Sequence, residues 1–419
     1  MDKKYLDYQH MRKNKPDTQK SKKRKGDWKQ QPLSHFLRER KEKSDGKCEV
    51  HSVSVQYGVI NQVDFLGRSF AAEDTSNYKL VYPYDVIYTK SPTGSYPYGI
   101  VKQNQNPYKV IVSPLYGIFK PQNKYIGYII QSYFESPNTI TKYLAPIIAK
   151  GAKNTIQISN ELFLSRNVYL PSQPEEQKKI AGFLLSIDKQ IEQQRMSLET
   201  LMRHKQALMQ QLFPQRGEDT PILRFSKMRN RWKYSDLKKI ASHCTKKNTK
   251  GEETTVLTNS AQYGVVKQQD YFDRDIVTLS NLKNYYLVEV GDFVYNPRVS
   301  IAAPVGPVSK NNLKKGIISP LYLVFRFNDS DNDFYVYYFQ SLHWQIQLKK
   351  IANSGARFDR MSISTSEFFN IQVPDLSKTE SEKIASLFLS LDKLIDCQQA
   401  KYDFLIKHKK GLMQQLFPN

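Results

Sequence analysis

The sequence predicts an α+β chain built twice, with two tandem mixed α/β units and two long antiparallel helices that form a coiled coil about a pseudo-two-fold axis. Three observations predict it. Residues 180–214 and 384–418 are identical at 18 of 35 positions, at a constant offset of 204 in a chain of 419. Upstream, Trp28-Lys29 answers to Trp232-Lys233, Tyr57-Gly58-Val59 to Tyr263-Gly264-Val265, and Ser113-Pro114-Leu115-Tyr116 to Ser319-Pro320-Leu321-Tyr322, at offsets of 204 and 206. Both repeated segments carry apolar residues at alternating steps of four and three, the heptad pattern of helices that pack along a narrow seam. Repeats of this length decide the architecture before any single element does.

In chain order, residues 1–25 form a basic tail that we expect to be disordered. They hold ten Lys or Arg against three Asp, a charge run too dense to build a core. Residues 26–170 form the first globular unit, 171–214 the first long helix, 215–231 a linker, 232–373 the second unit and 374–419 the second helix. The units are rich in aromatic and β-branched residues, with short runs such as 79–82, 85–88, 109–112 and 321–325 broken by Gly, Pro and Asn. These runs read as strands of a curved sheet, and a helix is expected near 332–351.

The helices have written ends. Ser172 with Glu175, and Ser377 with Glu380, have the Ser-x-x-Glu spacing of a capping box, while Pro214 and Pro418 follow the last apolar positions and end the hydrogen-bond ladder. The predicted seam in the first helix is Ile180, Leu184, Ile187, Ile191, Leu198, Leu201, Leu208 and Leu212. In the second it is Ile384, Phe388, Leu391, Ile395, Tyr402, Leu405, Leu412 and Leu416. Gln194 and Gln398 occupy equivalent polar seam positions, where buried amides help to fix register. Some 38 helical residues would make a rod roughly 57 Å long.

Charge points to a polyanionic partner. The formal net charge is +23, and +16 remains outside the basic tail; self-repulsion of that size suits a nucleic-acid binder. Cys48, Cys244 and Cys397 are too far apart in sequence for a zinc site and odd in number, so a reducing compartment is expected and no metal site is assigned. No apolar run reaches the 18 residues of a membrane span, which gives the expectation of a cytoplasmic protein without a membrane partner.

Two loop regions in each half join basic residues to aromatic or turn residues. In the first half the candidate DNA contacts are Lys90, Thr93 and Tyr96 of the 88–96 segment, and Lys153 before the long helix. In the second they are Asn296 and Arg298, then Arg357 and Arg360 before the second helix. Arg and Lys suit guanine edges and phosphates, Asn suits adenine, and Ser or Thr suits phosphates. No catalytic residue is assigned. The closest approach to an adenine methyltransferase segment, Asn296-Pro297-Arg298-Val299, lacks the second Pro and the aromatic, and no Gly-rich cofactor loop or phosphate loop is present.

The segments Leu170-Pro171 through Glu175-Glu176-Gln177-Lys178-Lys179-Ile180-Ala181 and Leu208-Met209-Gln210-Gln211-Leu212-Phe213-Pro214, with their second copies, resemble the specificity subunits of type I restriction-modification systems. Pro221-Ile222-Leu223-Arg224-Phe225 followed by Trp232 resembles the family's opening of a target recognition domain. The second copy departs from the usual Glu-Gln pair, reading Glu380-Ser381-Glu382. The resemblance implies two target recognition domains that each read half of a bipartite, asymmetric site in double-stranded DNA. It implies a non-catalytic chain that holds no cofactor. Modification subunits would bring S-adenosylmethionine, and restriction subunits ATP and Mg. Two other readings stand beside it: a self-contained DNA-modifying enzyme, and a coiled-coil scaffold without a nucleic-acid role.

Overall fold

The computed structural model describes residues 28–44, 46–148, 157–215, 218–225, 231–271, 279–352 and 359–417. The chain divides into two compact units. One comprises Met1–Gln193 with Tyr402–Asn419, the other Gln194–Lys401, so the division falls inside both long helices.

The first unit is organised by a four-stranded antiparallel sheet in the order Leu37–Glu39, Gly117–Pro121, Val86–Tyr88, Val101–Gln103. Three two-stranded ribbons surround it: the hairpin His51–Ser54 with Gly58–Asn61, Lys79–Val81 with Val110–Val112, and Trp28–Pro32 with Asn167–Pro171. The central Val86–Tyr88 strand is buried throughout. That explains why it reads as a continuous apolar run rather than an alternating one. A helix at Lys124–Tyr133 packs on the sheet; the Asn123 side chain caps it by accepting from the Tyr125 and Ile126 amides. The next helix, Pro137–Leu144, opens with proline, whose missing N–H costs nothing in a first turn.

The second unit repeats this plan strand for strand. Its sheet runs Ala241–His243, Leu323–Phe327, Phe293–Tyr295, Val308–Lys310. Its ribbons are Leu257–Ser260 with Gly264–Lys267, Tyr286–Val288 with Gly316–Ile318, and Lys233–Asp236 with Gln372–Asp375. Core aromatics repeat too. Tyr88 stacks on Phe163 at 4.5 Å between ring centroids, and Tyr295 on Phe368 at 4.6 Å. The helix expected over 332–351 is two helices, Asp333–Tyr338 and His343–Ile351. The break lets Phe339 enter the core and its carbonyl accept the indole N–H of buried Trp344.

The long helices span Pro174–Leu212 and Lys378–Leu416. The first therefore begins two residues after Ser172, with proline in its first turn. The repeat counterpart of Glu380 is Glu176 rather than the expected capping residue Glu175, and both carboxylates bond outside their helix. In the first unit Glu176 accepts the Trp28 indole N–H at 2.9 Å; in the second Glu380 accepts the Trp232 indole and a two-oxygen contact from Arg224. Every predicted seam residue is buried or half-buried.

Within each unit the early part of one long helix lies against the late part of the other, which makes the pairing antiparallel. In the first unit Ile180, Ala181 and Leu184 share a core with Met413, Leu416 and Phe417. In the second, Leu208, Leu212 and Phe213 share one with Ile384, Ala385 and Phe388. Each junction is completed by a lysine on an aspartate. Lys409 contacts Asp188 at 2.6 Å, and the Tyr128 hydroxyl donates to the same carboxylate. At the repeat-equivalent positions Lys205 contacts Asp392 at 2.6 Å, and Tyr337 donates to Asp392 at 2.9 Å. Gln194 donates to the Gln398 carbonyl at 3.1 Å and to its side-chain oxygen.

Candidate nucleic-acid interface

In both units the connection after the central sheet strand forms a braced loop. In the second unit this loop joins Phe293–Tyr295 to Val308–Lys310. Tyr295 is buried and donates its hydroxyl to the Val305 carbonyl. The Asn296 side chain donates to the Asn259 carbonyl and accepts the Arg298 amide. Gly306 sits at φ +82°, and a Cβ there would lie 1.9 Å from the Asn296 carbonyl oxygen. Only glycine fits so close an approach. The result is a rigid base whose tip presents Arg298, Ser300 and Ile301 to solvent.

Asn296 is thereby corrected from a base-reading candidate to a positioning residue: it is 8% exposed, and both ends of its amide are engaged inside the unit. Arg298 is exposed, as a contacting residue must be. Arg360 comes to it from 62 residues along the chain, because the two form an antiparallel bridge, with the Val299 amide donating to Asp359 and the Met361 amide to Pro297. Two predicted loop regions of the second half thus meet at one place. Arg357 and Lys153 lie outside the described residues.

In the first unit the equivalent loop joins Val86–Tyr88 to Val101–Gln103. Tyr88 donates to the Tyr98 carbonyl as Tyr295 does to Val305, and Gly99 takes the place of Gly306 at φ +83°. The predicted residues fare differently here. Tyr96 is 8% exposed, with its hydroxyl on the Glu135 carbonyl, so its ring is core rather than interface. Lys90 adopts φ +53° and donates its ammonium to the Ile158 carbonyl at 2.9 Å. Burial lowers its pKa, and its position ties the loop to the segment before the long helix. Thr93 is half-buried in a tight turn with Tyr96. Lys90 and Tyr96 look like loop residues in the sequence because their internal partners, Ile158 and Glu135, lie on segments remote in the chain.

A second exposed feature is also duplicated, and its sequence signal was a bare repeat. Ser54-Val55-Gln56-Tyr57-Gly58 and Ser260-Ala261-Gln262-Tyr263-Gly264 form hairpin tips in which Ser54 or Ser260 accepts two backbone amides and the glycine takes φ +66°. The tip tyrosines are 42% and 62% exposed, and each ring leans on an aromatic of the short helix that follows, Phe65 or Tyr271. Exposed aromatics of this kind are suited to stacking on bases or sugars.

No group of His, Cys, Asp and Glu among the described residues could hold a metal ion, and none of the described helices is long and apolar enough to cross a membrane. No family model matches the chain. In sequence it is 26% identical over 305 residues to a protein of Methanocaldococcus jannaschii named as a type I restriction enzyme MjaX specificity subunit; the match spans 70% of this chain and 66% of the relative's length. In structure it superposes on the specificity subunit of a type I restriction-modification system from M. genitalium with a TM-score of 0.59, covering 94% of this chain and 96% of that one at 13% identity. The chain has the fold of a type I restriction-modification specificity subunit. A chain from a structure of complex assembly and conformational transition in the type I system matches at a TM-score of 0.50 and 15% identity, over 94% of this chain and 98% of that one. The braced loops and hairpin tips described above are thus exposed features of a specificity-subunit fold, once in each repeated unit.

Proposed function

We propose that this chain is the DNA-specificity subunit of a type I restriction-modification complex. Its two units read the two unlike halves of a bipartite site, and partner subunits methylate adenine and cleave. One observation carries the reading. The units share the same strand order, while the exposed residues of the loops braced on that common scaffold differ in chemistry: Pro92, Gly94, Ser95 and Pro97 in one, Arg298, Ser300 and Ile301 in the other. A repeated scaffold with divergent exposed tips suits two readers of different sequence, as phosphate contacts position a protein on DNA and loop side chains specify.

On this reading the chain contributes no catalytic group and no cofactor of its own. Modification subunits supply S-adenosylmethionine chemistry, restriction subunits supply ATP- and Mg-dependent translocation and cleavage, and the complex works in the cytoplasm. Exchanging residues 26–170 for the equivalent unit of a relative, then sequencing the methylome of cells carrying the intact system, tests it. One half-site should change and the other stay the same. Methylation or cleavage by the purified chain alone would favour a self-contained enzyme instead, and DNA binding indifferent to salt would favour a scaffold.

A further inference from the structure

The bridge between Arg298 and Arg360 is of an unusual kind. The flanking hydrogen bonds run from the Val299 amide to the Asp359 carbonyl and from the Met361 amide to the Pro297 carbonyl, so the two arginines themselves exchange none. Such a non-hydrogen-bonded antiparallel pair brings the Cα atoms closest, about 4.5 Å apart, with both side chains on the same face. Like charges directly opposite each other destabilise a pair. Little here offsets that. Arg298 has no ion-pair partner among the described residues. Among the described residues the one carboxylate in ion-pair range of Arg360, Asp359, is 3.9 Å away and 67% exposed. The Arg360 Nε is buried without a hydrogen-bond partner among the described residues. Meanwhile the loop carrying Arg298 is braced by Asn296, Tyr295 and Gly306, so the pair does not simply relax apart.

The geometry points to a clamp for a single phosphodiester: Arg298 and Arg360 together grip one backbone phosphate and fix where the second unit sits on the duplex, rather than reading a base edge. The oxyanion supplies the negative charge the pair lacks, and two forked guanidiniums match its tetrahedral oxygens. This rests on the DNA-binding reading above, since inorganic phosphate or sulfate shares the same chemistry.

The test uses the full chain in complex with its modification subunits, the duplex carrying its methylated site, and the variants Arg298→Ala, Arg360→Ala and the double alanine. Each neutralised phosphate contributes a slope of about 0.9 to the fall of log affinity with log salt. A shared phosphate predicts that the double variant loses about 0.9 in total and that the two losses are not additive. Binding should weaken equally on specific and non-specific DNA. The Arg298→Lys, Arg360→Lys variant should keep most of the slope, which guards against a folding defect. In a second arm, inorganic phosphate should raise the thermal midpoint of the wild-type chain more than that of the double alanine.

Additive losses that together approach a slope of about 1.8 would mean two separate phosphates, and relaxed discrimination at one base pair would mean a base reader. Stabilisation by inorganic phosphate with an unaltered DNA slope would mean a free-anion site. Each overturns the clamp while leaving the DNA-binding reading intact, whereas a complex that shows no salt-dependent DNA binding overturns that reading itself.

Discussion

At the scale of single residues, the two units solve one electrostatic problem by different routes. Asp85 and Asp292 occupy equivalent buried positions, 2% and 1% exposed, and each accepts the backbone amide three residues earlier. The compensating guanidinium comes from Arg40, just past the strand Leu37–Glu39, in one unit, and from Arg326, inside Leu323–Phe327, in the other. Arg40 is the more enclosed, 15% exposed against 52%. Burial pushes the Asp85 carboxyl above its usual pKa, an effect that Arg40 only partly offsets. Arg40→Ala should therefore cost about 3 to 5 kcal/mol near neutral pH, since it strands a buried charge. The sign with pH follows from that raised pKa. A carboxyl that protonates more readily folded than unfolded recovers stability as pH falls through its folded value, and the recovery is complete below the unfolded value near 4. Urea titrations of wild type and Arg40→Ala should show a deficit that narrows on acidification; a deficit that widens would refute the account.

At the scale of elements, the long helices were the most legible part of the sequence. Their heptads fixed which side would be shielded, because a period near 3.5 has one physical reading in a segment this long. The strands at Lys79–Val81, Val86–Tyr88, Val110–Val112 and Leu323–Phe327 were legible for a similar reason, being short apolar runs bounded by turn residues. What stayed hidden was set by tertiary partners. Nothing local tells that Lys90 will donate to Ile158, that Tyr96 will be core, or that Arg298 will face Arg360.

The helix junctions show the same limit. The heptad steps that run through Leu201 and Leu405 next reach Lys205 and Lys409, whose carboxylate partners no local pattern names. Lys409 is held by both Glu135 and Asp188 at 2.6 Å; burial alone would lower its pKa, and the two carboxylates instead raise it. Lys205 has the one carboxylate, Asp392, with Gln340 in place of the second. Lys409→Met should then destabilise by roughly 1 kcal/mol or more, and by more than Lys205→Met, since it leaves two half-exposed carboxylates close together without a cation, with Tyr128 still donating to Asp188. Chemical unfolding of the two variants side by side is the measurement, and equal or reversed losses would mean that the second carboxylate adds nothing.

At the scale of the whole molecule, the proposed function requires a fixed distance between two readers, and the long helices are the elements able to set it. The junction pairs Lys409–Asp188 and Lys205–Asp392 each lie within one unit, which leaves residues 189–204 of the first helix and 393–408 of the second between them. One heptad inserted into each of these segments keeps both junctions and the seam's period, and adds about 10.5 Å of helix. If the helices act as a ruler, the spacer between the methylated half-sites should grow by up to roughly three base pairs, and less for a helix axis inclined to the DNA. The half-site sequences should stay the same, because no braced loop or hairpin tip is touched. A heptad added to one helix alone would force one junction out of register, so that variant should lose stability instead of gaining reach. Methylome sequencing of cells carrying the double insertion reads spacer and half-sites together. An unchanged spacer in an active complex would show that something other than helix length sets the distance, and the DNA-specificity reading would then have to find its ruler in the partner subunits.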